Sequence, residues 1–233
     1  MSSHPWELAW REGRWYEASP AFPAVVEFGK YLEKTGAKTV LDFGSGAGRH
    51  TAYLAKEGFR VIAFDISLSA LKQLNGRVKT EELDNVFLSQ NEMSKLPFAD
   101  AAFDAIVGNN VLHHSTTQGI SAALSEVFRV MRMRGVGYFS VLSRNDYKYG
   151  TGKPVEPATY VSTEPDETGI IHHFFSEDEL RLCFSKFDII SLDEELIPIE
   201  KGYRGHYHLR IKKGSRNSVW SRKEQNKVTG WTV

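Results

Sequence analysis

The chain has 233 residues, one cysteine, and 29 basic residues against 29 acidic ones, for a net charge of zero. That length supports one large domain with its own core. A single cysteine rules out an internal disulfide, and a balanced charge does not steer the chain toward nucleic acid. The opening MSSHPWELAWREGRW has no apolar run of signal-peptide kind, and nowhere do about 18 apolar residues follow one another. A cytoplasmic protein is expected.

Taken in chain order, strands and helices alternate. The N-terminal stretch carries Trp6, Trp10, Trp15 and Tyr16, with Trp6 and Trp10 one helical turn apart. Strands are predicted at Thr39–Phe43, Arg60–Asp65, Val86–Ser89, Ala105–Asn109 and Val136–Leu142. Helices are predicted between them: Gly48–Lys56 ending at Gly58, Ser67–Glu82, and Thr117–Arg132 with Ile120, Leu124, Val127, Phe128 and Met131 at helical spacing. Such alternation with short connections predicts an α/β fold, a doubly wound sheet covered on both faces. Ser143–Ile171 lacks periodicity and is rich in Gly and Pro, so it reads as a long functional loop. Ser176 and Glu179 form a capping box for a short helix. Strands at Phe187–Leu192 and Tyr207–Ile211 follow, and Ser215–Val233 reads as a polar tail. Charge is uneven late in the chain: Gly150–Glu200 has 12 acidic and 3 basic residues, and Lys201–Val233 has 9 basic and 1 acidic. A solvated tail is the simpler reading, and a basic arm for a phosphate-bearing substrate the sharper one.

The stretch VLDFGSGAGRH, Val40–His50, places three glycines behind Asp42 at the end of the first strand. In a doubly wound sheet that crossing is a ligand site, and the helix N-terminus beyond it offers unpaired N–H groups. A nicotinamide fingerprint would read G-x-G-x-x-G. Here Arg49 stands where its third glycine belongs, and Asp42 would repel a pyrophosphate while holding a positive amino group.

LDFGSGAG resembles the D-x-G-x-G-x-G motif of class I S-adenosylmethionine-dependent methyltransferases. Four further segments resemble that family in order: VIAFDIS, NEMSKLPFADAAFDAIV, NNVLHH and ALSEVFRVMRMRGVGYFSVLS, so the likeness spans Thr39–Ser143. It is closest to the small-molecule, type 11 branch. It implies a mostly parallel, Rossmann-like, seven-stranded sheet of order 3-2-1-4-5-7-6 with the last strand antiparallel. It also implies S-adenosylmethionine as cofactor. The matching positions assign Asp42 to the amino group of the methionine part, Gly44, Ser45, Gly46 and Gly48 to the backbone approach, and Asp65 to the ribose hydroxyls. Ile66 and Met93 fall on adenine, Glu92 on its exocyclic amine, and Asn109 on the end of the fourth strand. Glu92 stands where the family has Asp, and MRMRGVG lacks the family's K-P-G-G turn.

The acceptor is less legible. The fourth strand is followed by Asn109-Asn110-Val111-Leu112, without the [DNS]-P-P-[FYW] run of enzymes that methylate the amino groups of DNA bases or glutamine. Cys183 lies on a predicted apolar helix face and reads as a buried hydrophobe. His114 and His173 are the candidate general bases, because histidine titrates in the useful range. His206 and His208 share a strand face, but a metal site would need a third ligand, and none is expected. The expected domains are an N-terminal helical lid (1–35), a core (36–213) with a substrate-shaping insertion (143–171), and a basic tail (214–233). The expected partner is a small-molecule acceptor, with neither nucleic acid nor membrane. A cofactor-binding sensor, an RNA or protein methyltransferase and a nicotinamide oxidoreductase are the rival readings.

Overall fold

The computed structural model describes residues 4–14 and 20–214. Trp15, Tyr16 and the tail beyond Gly214 lie outside the described residues. Two helices precede the sheet: α1 (Pro5–Arg11) and α2 (Pro23–Thr35), each with proline in its first turn, where the missing N–H costs nothing. Then follow β1 (Thr39–Phe43), α3 (Arg49–Lys56), β2 (Arg60–Asp65), α4 (Leu68–Thr80), β3 (Val86–Gln90), β4 (Phe103–Asn109), α5 (Thr117–Val130) and β5 (Met131–Leu142). The second half contains β6 (Lys153–Glu156), β7 (Thr159–Val161), β8 (Ile171–His173), α6 (Glu177–Cys183), β9 (Asp188–Ile199) and β10 (Gly202–Lys212).

The main sheet has seven strands in the order β3-β2-β1-β4-β5-β10-β9. Its first five strands are parallel, and β10 runs antiparallel to both β5 and β9. This is the order implied by the resemblance, with β9 and β10 as the sixth and seventh strands of the sheet. Alternation along the strands splits the core in two. Leu41, Phe43, Ile106 and Phe139 face α5 and α6; Leu124, Val127 and Leu180 of those helices, and Phe184 just after α6, are buried against them. Val40, Val61, Val107 and Tyr138 face α2 and α3 through Phe28, Leu32, Leu54 and Ala55. Among the described residues no helix is long and apolar enough to cross a membrane.

The expectation of a structureless loop over Ser143–Ile171 is corrected. The segment folds into a second antiparallel sheet, β6-β7-β8. Its strands have 4, 3 and 3 residues, too short for a period-two pattern to emerge from a Gly- and Pro-rich background. β9 and β10 are also longer than expected, because they form a hairpin that outruns its apolar stretches. β5 starts directly at the end of α5, and Arg134 takes a positive φ of 65° where the family carries its proline turn.

Candidate functional site

A cleft of about 420 Å³ opens at the C-terminal ends of β1, β2 and β4 and continues beneath the second sheet. It lies where the strand order reverses, between β1 and β4, which is where doubly wound sheets bind ligands. Gly44, Ser45, Gly46, Asp65, Ile66, Met93 and Asn109 line it. The other three positions expected to bind the cofactor, Asp42, Gly48 and Glu92, lie off its wall.

The three motif glycines separate into three roles. Gly44 takes φ 75°, and a Cβ there would lie 2.3 Å from Val111 Cγ2. Gly46, with φ 54°, donates its N–H to Asp65 Oδ2 at 2.9 Å. Gly48 takes φ 83°, and a Cβ there would lie 2.1 Å from Leu74 Cδ1. Gly48 therefore serves helix packing between α3 and α4 and does not line the cleft. Asp42 is buried as well, with its Oδ2 accepting from Thr51 Oγ1 at 2.5 Å, and it is absent from the cleft wall. Glu92 is exposed and off the wall, and its neighbour Asn91 lines the cleft instead.

Asp65 holds the glycine loop from the end of β2. Its Oδ2 takes the Gly46 N–H and its Oδ1 the Ser67 N–H at 2.8 Å. Burial pushes its carboxyl above the usual range, and those two N–H groups oppose the shift. Each oxygen still has a lone pair for a ligand hydroxyl.

Among the described residues, Ser45 Oγ, His50 Nε2 and Asn109 Nδ2, three buried polar atoms along this arm, find no hydrogen-bond partner. Ser140 Oγ lies 3.0 Å from Asn109 Oδ1, which leaves the amide nitrogen as the orphan. Buried polar groups are nearly always satisfied, so these three atoms are open to a polar ligand or to water. Together with the glycine approach and Asp65, they fit S-adenosylmethionine.

The second arm holds histidines. Six of the chain's eight line the cleft: His4, His50, His113, His114, His172 and His206. β8 brings the two histidine pairs together. The His173 N–H donates to the His113 carbonyl at 2.8 Å, and His114 Nδ1 lies 3.2 Å from the Ile171 carbonyl. A carbonyl only accepts, so His114 carries its proton on Nδ1 and a lone pair on Nε2. The rings of His114 and His172 are 5.0 Å apart, and those of His114 and His113 are 4.2 Å apart. Burial, then the neighbouring His172, pushes His114 down to about 3; burial and Lys148 push His172 down to about 4. Burial takes His113 well below its ordinary value and His50 to about 3. The cluster is neutral at neutral pH.

His173 does not line the cleft. Its ring is held between Thr159 Oγ1 at 2.7 Å and Glu179 Oε1 at 2.9 Å, and successive strand residues point to opposite faces. His172 takes the place expected for it. Nothing in the HH pair itself shows which member faces inward. His206 lines the cleft, whereas His208 is tied to the Tyr138 hydroxyl at 2.7 Å. Burial raises the Cys183 thiol to about 12, so it is no thiolate at neutral pH.

α1 covers the cleft. Trp6 meets the His114 ring edge-on at 4.7 Å, and Trp10 packs on Ala47 and Ala70. Glu7 accepts from Ser67 Oγ at 2.8 Å, Ser69 Oγ at 2.7 Å and the Ser69 N–H at 3.1 Å, fastening α1 to the start of α4.

Comparison with known proteins bears on the fold and the family. Residues 40–135 match the family model described as a methyltransferase domain. Residues 40–135 are therefore a methyltransferase domain. Among curated relatives, the chain is 31% identical over 121 residues to a malonyl-[acyl-carrier protein] O-methyltransferase of Legionella pneumophila, covering 51% of this chain and 41% of that one. The chain spans about two fifths of the length of the first curated relatives it matches. Among solved structures, the methyltransferase fold is shared with an S-adenosylmethionine-dependent methyltransferase of Methanosarcina mazei. That likeness has TM-score 0.71 and 23% identity, and covers 84% of this chain and 99% of that one. It is shared too with the Burkholderia thailandensis 1,6-didemethyltoxoflavin-N1-methyltransferase, solved with S-adenosylhomocysteine and its substrate. Here the TM-score is 0.64 with 21% identity, covering 89% of this chain and 84% of that one. The methyltransferase domain match ends at residue 135, so the second sheet and β10, which complete the histidine arm, lie beyond it.

Proposed function

We propose that the chain transfers a methyl group from S-adenosylmethionine to a small-molecule acceptor in the cytoplasm. The observation that carries this reading is one cleft with two chemically distinct arms: a glycine loop with three orphaned polar atoms, and a neutral histidine cluster. The bound cofactor supplies an already activated methyl on a sulfonium, so the protein's main contribution is alignment.

In this reading Asp65 takes the ribose hydroxyls while holding the loop through Gly46. Ile66 and Met93 pack against adenine, and Gly44 and Ser45 accommodate the methionine part. Asp42, Gly48 and Glu92 act indirectly, through Thr51, Leu74 and the exposed rim. The acceptor sits under Trp6 against His114, whose Nε2 lone pair takes the proton that the acceptor loses. A buried imidazole of low basicity is a weak general base, so this reading requires an acceptor that gives up its proton readily, such as an acidic phenol or enol. A cleft of about 420 Å³, roofed by α1, favours a small molecule over a polymer end. We also read 1–35 as the lid and 143–171 as the acceptor-shaping insertion.

Calorimetry with S-adenosylmethionine, S-adenosylhomocysteine and NAD tests the cofactor. Binding of the first two and not the third is expected, and failure of both sulfur ligands to bind overturns the reading. Labelled-methyl turnover against a metabolite extract then separates an enzyme from a non-catalytic sensor, with label in a small-molecule fraction expected.

A further inference from the structure

The acceptor arm is closed by three stretches of the second half: residues 143–150, the connection into β8, and β10. They contribute four ionic side chains to the cleft wall: Asp146, Lys148, Glu167 and Arg204. Their charges sum to zero, but their engagements differ.

Both acids are committed. Asp146 is buried, with Oδ1 accepting the Lys148 N–H at 2.9 Å and Oδ2 accepting the Gly205 N–H at 2.9 Å. That fastens the 143–150 turn to β10. Glu167 is buried against Lys148 Nζ at 2.6 Å and lies 3.6 Å from His172 Nε2.

The cations are not used up. Lys148 has three ammonium protons and a single acid partner. Arg204 makes no hydrogen bond or ion pair among the described residues and stands exposed at the mouth. His113 adds a donor: its Nδ1 accepts the Leu142 N–H at 3.3 Å, so its proton sits on Nε2. The arm thus presents spare donors around one accepting atom, His114 Nε2. A cationic acceptor would find no free carboxylate here and would meet an unpaired guanidinium, which disfavours amines and quaternary ammonium compounds.

Resting on the methyltransferase reading above, we propose that the acceptor is a small molecule bearing an anionic group, carboxylate or phosphate. This group docks on Arg204 and Lys148 at the mouth while the acceptor's hydroxyl or N–H reaches His114. The guanidinium fork matches the two oxygens of either anion. Arg204 then sets which acceptors enter, and His114 reads the atom to be methylated.

The test uses the full chain saturated with S-adenosylhomocysteine, with 4-hydroxybenzoate, 4-hydroxybenzamide and phenyl phosphate as probes, read by ligand-observed NMR and calorimetry. At least one anion should bind about tenfold or more tightly than the neutral amide, as expected for a charge-assisted hydrogen bond. Arg204→Gln should abolish that preference, and because Arg204 is exposed the variant keeps the fold. The ranking of carboxylate against phosphate identifies the anion. Binding of neither anion more tightly than the neutral amide, or an anion preference unchanged in Arg204→Gln, overturns the proposal. Failure of S-adenosylhomocysteine to bind in the first step instead removes the methyltransferase reading, so the two outcomes are separable.

Discussion

The Gly46 N–H donates to Asp65 Oδ2 at 2.9 Å, tying the glycine loop after β1 to the last residue of β2. The other carboxylate oxygen takes the Ser67 N–H at the start of α4. One acid thus sets the loop, the helix start and the cleft wall together. Asp65→Asn keeps one acceptor oxygen and turns an NH₂ toward the other amide. A buried donor left unpaired costs about 1–3 kcal/mol. Chemical denaturation should show that loss, and S-adenosylhomocysteine affinity should fall at least about tenfold. Unchanged affinity with lowered stability would confine Asp65 to holding the loop.

Gly48 belongs to the packing of the fold. Gly48→Ala would place Cβ 2.1 Å from Leu74 Cδ1 on a residue with φ 83°. Strain of this kind costs about 1–3 kcal/mol. The double variant Gly48→Ala with Leu74→Ala removes the collision and keeps the backbone penalty, so the two losses should be less than additive in denaturation midpoints. Additive losses would show that the two side chains do not share the strain.

The sequence pattern reached as far as the parallel half of the sheet, because buried strands and amphipathic helices announce themselves by period. Ser176 caps as its spacing with Glu179 suggests, accepting from the Glu179 N–H; Ser67 caps too, accepting from the Ala70 N–H. Positions in the motif were legible, but their partners were not. Asp42 looked ligand-facing until Thr51, nine residues on, was seen to take its carboxylate. His50 is buried with an orphaned Nε2 on the cleft wall, and its place in a helix just after the motif carries no local sign of that role. The acceptor arm depends on contacts between Val111–His114, β8 and β10, which no local pattern encodes. Lys148, Glu167, His172 and Arg204 come together only when the second sheet docks.

The lid makes its own prediction. Glu7 carries three hydrogen bonds from Ser67 and Ser69, and its carboxyl lies below the usual range; burial opposes that shift and the Ser69 and Ser67 donors outweigh it. Glu7→Ala removes this fastening while Trp10 stays packed on Ala47 and Ala70. Stopped-flow measurement should show S-adenosylhomocysteine leaving about three- to tenfold faster. Deletion of residues 1–16 should weaken binding further by taking away Trp6 and Trp10 as well. An unchanged dissociation rate in both would end the lid reading.

Acid should unfold the chain early. His50, His114 and His172 have folded values near 3, 3 and 4 against an ordinary 6.5, all driven first by burial. Below about pH 6.5 the unfolded chain takes up protons that the folded chain refuses. The stability these residues allow is therefore intact above that pH and is lost as pH falls toward 4 and then 3. Each contributes a slope of about 1.4 kcal/mol per pH unit in that window. Denaturation midpoints measured from pH 7.5 to pH 5 should fall steeply, and His114→Gln should flatten the fall by about one histidine's share. An equal slope in that variant would mean that His114 is protonated in the fold.

His114 and His173 separate chemistry from architecture. His114 offers an Nε2 lone pair to the cleft, with Nδ1 fixed on the Ile171 carbonyl. His173 is enclosed by Thr159 and Glu179, and Glu179 is in turn paired with Arg144 at 2.8 Å. Removing His173 takes one hydrogen bond each from buried Thr159 and half-buried Glu179 and leaves a gap between them, at about 1–3 kcal/mol, without touching the cleft wall. His173→Ala should therefore lower the melting temperature and leave kcat near that of the native chain at a temperature where it is folded. His114→Gln should keep S-adenosylhomocysteine affinity and lower kcat about 10²-fold or more, as loss of a general base does. The rate of the variant should rise with pH until the acceptor ionises unaided, recovering what the base supplied. A His114→Gln variant with native turnover across pH 6–9 would assign the ring to shaping the acceptor site alone.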